Sequence, residues 1–136
     1  MIMGIGVDIV AISRIEKIYE KFGDKFLTKI YCKNEIEIAN EIKNNQPKEK
    51  LILYLAKRFC AKESFAKALG IGLGRGINFN DISIVNDSLG KCSIEVNPLK
   101  IDFIKKHFSC QNFSIHLSLS DEKNSAIAMV IIENKD

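Results

Sequence analysis

The sequence predicts an α+β fold, with a mostly antiparallel sheet packed on one long helix. Three observations carry that expectation. Between Lys48 and Leu69 the apolar residues Ile52, Leu55, Phe59, Ala66 and Leu69 mark one buried helical face. The first ten residues, and most of the chain after Asp81, alternate with the two-residue period of strands. Short polar turns, Asn86 to Gly90 and Ser120 to Asn124, join the later strand-like runs, as antiparallel neighbours allow. The chain has 136 residues, 46% hydrophobic and 27% charged, which suits a single globular domain over 1–136.

The opening strand runs from Met3 to Val10. Ile5, Val7 and Ile9 fall on one face, and Gly4, Gly6 and Asp8 on the other. Ser13 and Glu16 have the spacing of a capping box, which starts a helix near Arg14. Ile15, Ile18, Tyr19 and Phe22 form its apolar stripe, and Gly23 ends it. Residues 24–47 are rich in lysine and asparagine; they predict a short turn and a second helix over 34–43. The long helix follows from Lys48 and stops at Gly70. Strands are expected over 81–85 and 91–96. Asn97 and Pro98 then cap a helix reaching about His107. The last two strands cover 113–119 and 125–132. The second of these is apolar on both faces, so it is expected at the centre of the sheet.

Composition excludes several classes. No apolar run approaches the ~20 residues that span a bilayer, and the N-terminus lacks the basic start of a signal peptide. A soluble, cytoplasmic protein with no membrane partner is expected. A net charge of +3 is too small to argue for nucleic acid, but permits an acidic partner or a phosphate-rich ligand. Cys32, Cys60, Cys92 and Cys110 are widely spaced, with no CxxC pair, and read as free thiols rather than zinc ligands.

The residues that carry chemistry lie in four places. Arg58 and Lys62, and likewise Glu63 and Lys67, are four apart on the long helix, so each pair shares a face. Ordinary solvated ion pairs would look the same. Asp8 is more telling, because aspartate is disfavoured inside a strand, and its neighbours Gly4 and Gly6 leave room for close approach. It reads either as a turn cap or lysine partner, or as a hard-metal ligand. In the second case Asp8 and Glu63 supply the one or two carboxylates that Mg²⁺ takes, while Arg58, Lys62 and Lys67 neutralise phosphates. Gly70, Gly72, Gly74 and Gly76 form a loop that either connects elements or lends backbone N–H groups to phosphate. In the strand from Phe113, the face opposite Ile115, Leu117 and Leu119 carries Ser114, His116, Ser118 and Ser120. It is either exposed surface or a ligand contact. His107 stands at a helix C-terminus and is given no function.

Together, Gly4 to Val10, the run from Arg58 through Lys62, Glu63 and Lys67 to Gly70, and His116 to Asp121 resemble the holo-[acyl-carrier-protein] synthases, the short 4′-phosphopantetheinyl transferases. The resemblance spans nearly the whole chain. One departure is Gly90-Lys91-Cys92, where such proteins often have Gly-Lys-Pro. The resemblance implies a Mg²⁺-dependent transfer of phosphopantetheine from coenzyme A to a serine of apo-acyl carrier protein, in support of fatty acid biosynthesis. It implies Asp8 and Glu63 as metal ligands, and Lys67 as an aid to the leaving group. Arg58 and Lys62 fall near the coenzyme A phosphates. Gly70 and Gly72 belong with them as cofactor-binding residues, as do His116 and Ser118. His116 is expected to reach the nucleotide from a neighbouring subunit of a homotrimer. Arg14 matches a carrier-protein contact; Lys17 and Lys21, with Lys25 and Lys29, extend that basic surface. A general base is needed for the serine proton, and Glu63 and a metal-bound water positioned by Asp8 are both candidates. Two rivals remain: a non-catalytic coenzyme A or nucleotide binder, and a small basic RNA-binding protein. The latter wants aromatics on an exposed sheet, where this chain has serines and a histidine.

Overall fold

A computed structural model describes all 136 residues. The long helix, α4, runs Lys48–Leu69. It ends where Gly70 turns left-handed (φ 77°, ψ 10°) and donates its N–H to the carbonyls of Ala66 and Lys67. All five residues of the expected stripe are buried, but so are Ala56, Cys60, Ala61, Phe65 and Ala68. The helix is therefore wrapped on several sides rather than laid on one surface.

The strands are β1 (Ile2–Ala11), β2 (Ile82–Asn86), β3 (Cys92–Val96), β4 (Phe113–Asp121) and β5 (Ser125–Asn134). All their pairings are antiparallel, but they form two sheets rather than one: β1-β5-β4 and the hairpin β2-β3. β5 is central, as its two apolar faces predict. In this register Asp8 lies opposite Ala128, and Gly6 opposite Val130.

The glycines of β1 explain its seat on α4. A Cβ on Gly4 would stand 1.9 Å from the Ala68 carbonyl oxygen; one on Gly6 would stand 2.0 Å from that of Ser64. The close approach foreseen at Gly4 and Gly6 is thus made by the backbone of α4. On the outer face Ile5, Val7 and Ile9 stay 57%, 53% and 65% exposed, beside Ile127 and Met129.

The remaining helices are α1 (Ile12–Phe22), α2 (Asp24–Ile30), α3 (Lys33–Asn45) and α5 (Ile101–Phe108). The capping box of Ser13 and Glu16 does not form. Because β1 runs straight into α1, the cap position falls on Ala11, and the Ile12 N–H donates to Asn124 O at 3.0 Å. Residues 24–47 hold two helices, not one. The unforeseen α2 buries Phe26, Leu27 and Ile30, a stripe hidden among lysines. The Asn97 cap forms as expected, its Oδ1 accepting from Leu99 N at 3.1 Å, ahead of a 3-10 turn at Pro98–Lys100. All four cysteines are free, with Cys60 and Cys110 buried. No helix is long and apolar enough to cross a membrane.

Candidate active site at the seam of β1 and α4

Strand β1 lies directly on α4, which brings Asp8 to the last turns of that helix. Lys67 Nζ donates to Asp8 Oδ1 at 3.0 Å and to the Val7 carbonyl at 3.0 Å. Glu63, one turn earlier, is half-buried on the same side. Burial holds its carboxyl above the usual carboxylate range, and the charge of Asp8 adds to this, while Arg14 and Lys67 pull the other way. Four charged groups from three elements therefore act on one another here.

The seam is fastened beneath the surface. Ser64 Oγ donates to Ala128 O at 2.9 Å, on the residue opposite Asp8. The Cys60 thiol donates to Asp8 O at 3.1 Å. Burial, and then the Asp8 carboxylate, push that thiol up to about 12, so it stays protonated and unreactive. Neither Ser64 nor Cys60 stood out in the sequence; their only signal is position, one turn before Ala68 and Ser64 respectively.

The predicted residues do not all converge. Arg14, expected to face a partner, lies close enough to the acid pair to lower the Glu63 carboxyl, with its guanidinium 5.8 Å from the Phe59 ring. Lys17 and Lys21 are exposed on α1. Beside them an apolar groove of about 380 Å³ runs between Ile18, Phe22, Phe26 and Phe59, bordered by Lys25 and Lys29. His116 and Ser118 are exposed on the outer face of β4, with His116 Nε2 3.0 Å from Glu133 Oε1. The bonds from His116 and Lys135 keep the Glu133 carboxyl below its ordinary range. Gly70 and Gly72 are exposed, with open space where a Cβ would stand.

Arg58 and Lys62 turn inward, apart from Asp8. Arg58 is only 7% exposed. Its guanidinium sits 4.0 Å from the Tyr54 ring centre and donates to Asn86 Oδ1 at 2.8 Å, yet its Nε has no partner. It lines a cavity of about 460 Å³ with Asn34 and Asn86. Lys62 is the clearer correction. It is 0% exposed, and its ammonium is committed to Glu35 and to two backbone carbonyls, so it does not present charge to a phosphate. The spacing of 58 and 62 correctly put them on one face, but that face packs into the protein.

A cavity of about 650 Å³ lies at the start of α1, lined by Glu16, Glu49, Asp121 and Glu122, with Lys123 as its one cation. It contains none of the predicted site residues, and its carboxylates would repel phosphate. The predicted residues that do come together lie at the open seam instead. No group of three or more His, Cys, Asp or Glu gathers anywhere in the chain, so no all-protein metal cage exists. Two carboxylates close enough for one to raise the other, one of them partly desolvated, with Lys67 and Arg14 near by, fit Mg²⁺, which fills the rest of its shell with water and phosphate oxygens.

The family model of the 4′-phosphopantetheinyl transferase superfamily matches residues 4–130. A holo-[acyl-carrier-protein] synthase from Wolbachia sp. subsp. Brugia malayi (strain TRS) is 48% identical over 132 residues, covering 97% of this chain and 96% of that one. Among solved structures, the holo-[acyl-carrier-protein] synthase from Neisseria meningitidis is 36% identical, with a TM-score of 0.85 over 98% of this chain and 100% of that one. The Helicobacter pylori holo-[acyl-carrier-protein] synthase in complex with coenzyme A is 33% identical, with a TM-score of 0.75 over 95% and 99%.

Proposed function

This chain belongs to the 4′-phosphopantetheinyl transferase superfamily, and we propose that it moves the phosphopantetheine arm of coenzyme A onto a serine hydroxyl of apo-acyl carrier protein, releasing adenosine 3′,5′-bisphosphate, in the cytoplasm and in support of fatty acid biosynthesis. The observation that carries this reading is the meeting of Asp8, Glu63, Lys67 and Arg14 at one seam. Transfer from a pyrophosphate needs little covalent help from protein; it needs charge neutralised and groups held in line. A bound Mg²⁺ would stabilise negative charge on the pyrophosphate.

Asp8 and Glu63 would hold that cation. Lys67, half exposed and tied to Asp8 and Val7, keeps an ammonium at the open side of the seam, where the leaving phosphate gathers charge. Arg58, with a buried and unpartnered Nε, supplies a second anion contact through the cavity it lines. The exposed backbone at Gly70 and Gly72 accommodates phosphate, and His116 and Ser118 complete the nucleotide site. Lys62 takes no part in this set.

The carrier protein docks on α1. Arg14, Lys17 and Lys21 meet its acidic surface, and the groove between Phe22, Phe26 and Phe59 takes its apolar residues. The outer sheet face, with Ile5, Val7, Ile9, Ile127 and Met129 exposed together, supports assembly with further copies of the chain. We assign a homotrimer, the number three coming from the resemblance, which puts His116 at a subunit boundary.

The test is mass spectrometry of apo-carrier protein incubated with this protein, coenzyme A and Mg²⁺. A gain of about 340 Da, the mass of the transferred arm, is expected. Binding of coenzyme A without that gain would refute the transferase reading and favour a simple binder.

A further inference from the structure

Lys62 and Glu35 are both 0% exposed, and each satisfies the other. Lys62 Nζ donates to Glu35 Oε1 at 2.6 Å, to the Ile30 carbonyl at 2.8 Å and to the Phe79 carbonyl at 3.1 Å. Glu35 Oε1 also accepts from the Cys32 N–H at 2.8 Å, and Oε2 accepts from the Ile84 N–H at 2.9 Å. A single ion pair therefore joins α4 to the end of α2, the start of α3, the turn at Phe79–Asp81 and strand β2. Every ammonium proton has a partner, so the lysine has no donor left for a ligand.

Such a pair is costly to build. Desolvating two charges offsets most of their attraction, and well-packed apolar residues often match a buried ion pair in stability. What it supplies is direction, since the three hydrogen bonds of Lys62 are met in only one rotation of α4 about its axis, while the two backbone N–H groups on Glu35 hold the acceptor still. Glu63 is the next residue along that helix. A rotation that keeps Lys62 on Glu35 turns Glu63 toward Asp8, and one that loses it displaces Glu63. We propose that Lys62 and Glu35 are positioning residues that fix the rotation of α4 and so hold the Glu63 carboxylate at the β1 seam. This deepens the transferase reading and rests on it only for the activity measurement.

Lys62→Met should lower the midpoint of urea unfolding, because it leaves the Glu35 carboxylate buried without a cation. Lys62→Met/Glu35→Gln removes both charges and keeps an amide oxygen for the Cys32 N–H. Because the Ile84 N–H and the Ile30 and Phe79 carbonyls lose their partners, it should regain part of that midpoint but none of the turnover, which stays down by about tenfold or more, as misplacement of a catalytic group by a fraction of an ångström produces. The KM for coenzyme A should stay within about twofold of the unaltered protein. Turnover that recovers along with stability would overturn the proposal, as would a KM that rises while kcat holds, the signature of a direct phosphate contact.

A second measurement needs no variant to fold and no activity. In the unaltered protein the Lys62 Nζ protons should exchange slowly with water, and their ¹⁵N shift should hold when coenzyme A and Mg²⁺ are added. Fast exchange, or a shift on addition, would refute the pairing. Absence of transfer by the unaltered protein would refute the functional reading alone, leaving this measurement to judge the pair.

Discussion

Residues 62 and 63 are neighbours on one helix and live in opposite worlds. Lys62 is sealed among carbonyls and a carboxylate, with every proton matched. Glu63 is half-buried, near another carboxylate that disfavours its charge. The first arrangement is self-sufficient and the second is not. A charge the protein satisfies by itself holds structure; a charge it leaves partly opposed is available to something that arrives later.

The contrast breaks most sharply under mutation. Asp8→Ala and Glu63→Ala should each cut transfer by about a thousandfold or more, since on the proposed reading either removes a metal ligand and the several kcal/mol of charge stabilisation that would go with it. Both should unfold near the temperature of the unaltered protein, because an ion pair with one exposed member contributes at most about 1 kcal/mol. Turnover in the mass assay and thermal unfolding check the two halves. Near-normal turnover of Asp8→Ala at saturating Mg²⁺ would remove the metal assignment.

Lys62→Met should behave in the reverse order, losing roughly 3–5 kcal/mol of stability through an orphaned buried carboxylate. Urea denaturation measures it, and a loss below about 1 kcal/mol would mean that Glu35 finds water or protonates without difficulty. Lys67→Ala should come next, lowering turnover by about ten- to a hundredfold with a smaller effect on coenzyme A binding. Unchanged turnover would take Lys67 out of the mechanism.

The smallest effect concerns Glu63 as a folding group. Its carboxyl is raised in the folded protein, so its protonated form suits the fold and its ionised form opposes it. That contribution is fully present below the ordinary carboxylate range and is lost as pH rises through the raised value. Glu63→Gln should therefore be slightly more stable than the unaltered protein at pH 7. The advantage should vanish below the ordinary carboxylate range. A melting series across that window decides it; a variant less stable at pH 7 would mean that Arg14 and Lys67 outweigh burial.

Much of this was legible in the residues. The extent of α4, the central place of β5 and the Asn97 cap follow from local pattern, because each is decided by neighbours in the chain. That Asp8 and Glu63 lie near one another was expected from the residues, and Asp8 also takes the lysine partner that its other reading allowed. What could not be read was contact between distant segments. Helical spacing placed Arg58 with Lys62 and Glu63 with Lys67, but not which face would be covered. Glu35, 27 residues before Lys62, carries only the modest signal of a glutamate three positions after a helix cap. Arg14 was placed on a basic helix, and only the passage of β1 straight into α1 brings it near enough to lower the Glu63 carboxyl. The helix α2 was lost because three apolar residues among lysines fall short of a pattern.

The contact of β1 with α4 has a consequence for anyone who randomises that strand. At Gly4 and Gly6 the obstacle is a main-chain oxygen, which no rotamer can move aside. A library screened for nothing more than soluble expression would already return glycine at both positions. Enrichment there would record how strand and helix fit together, and would say nothing about turnover. Asp8, two residues on, is where a screen for fitness and a screen for folding should part company.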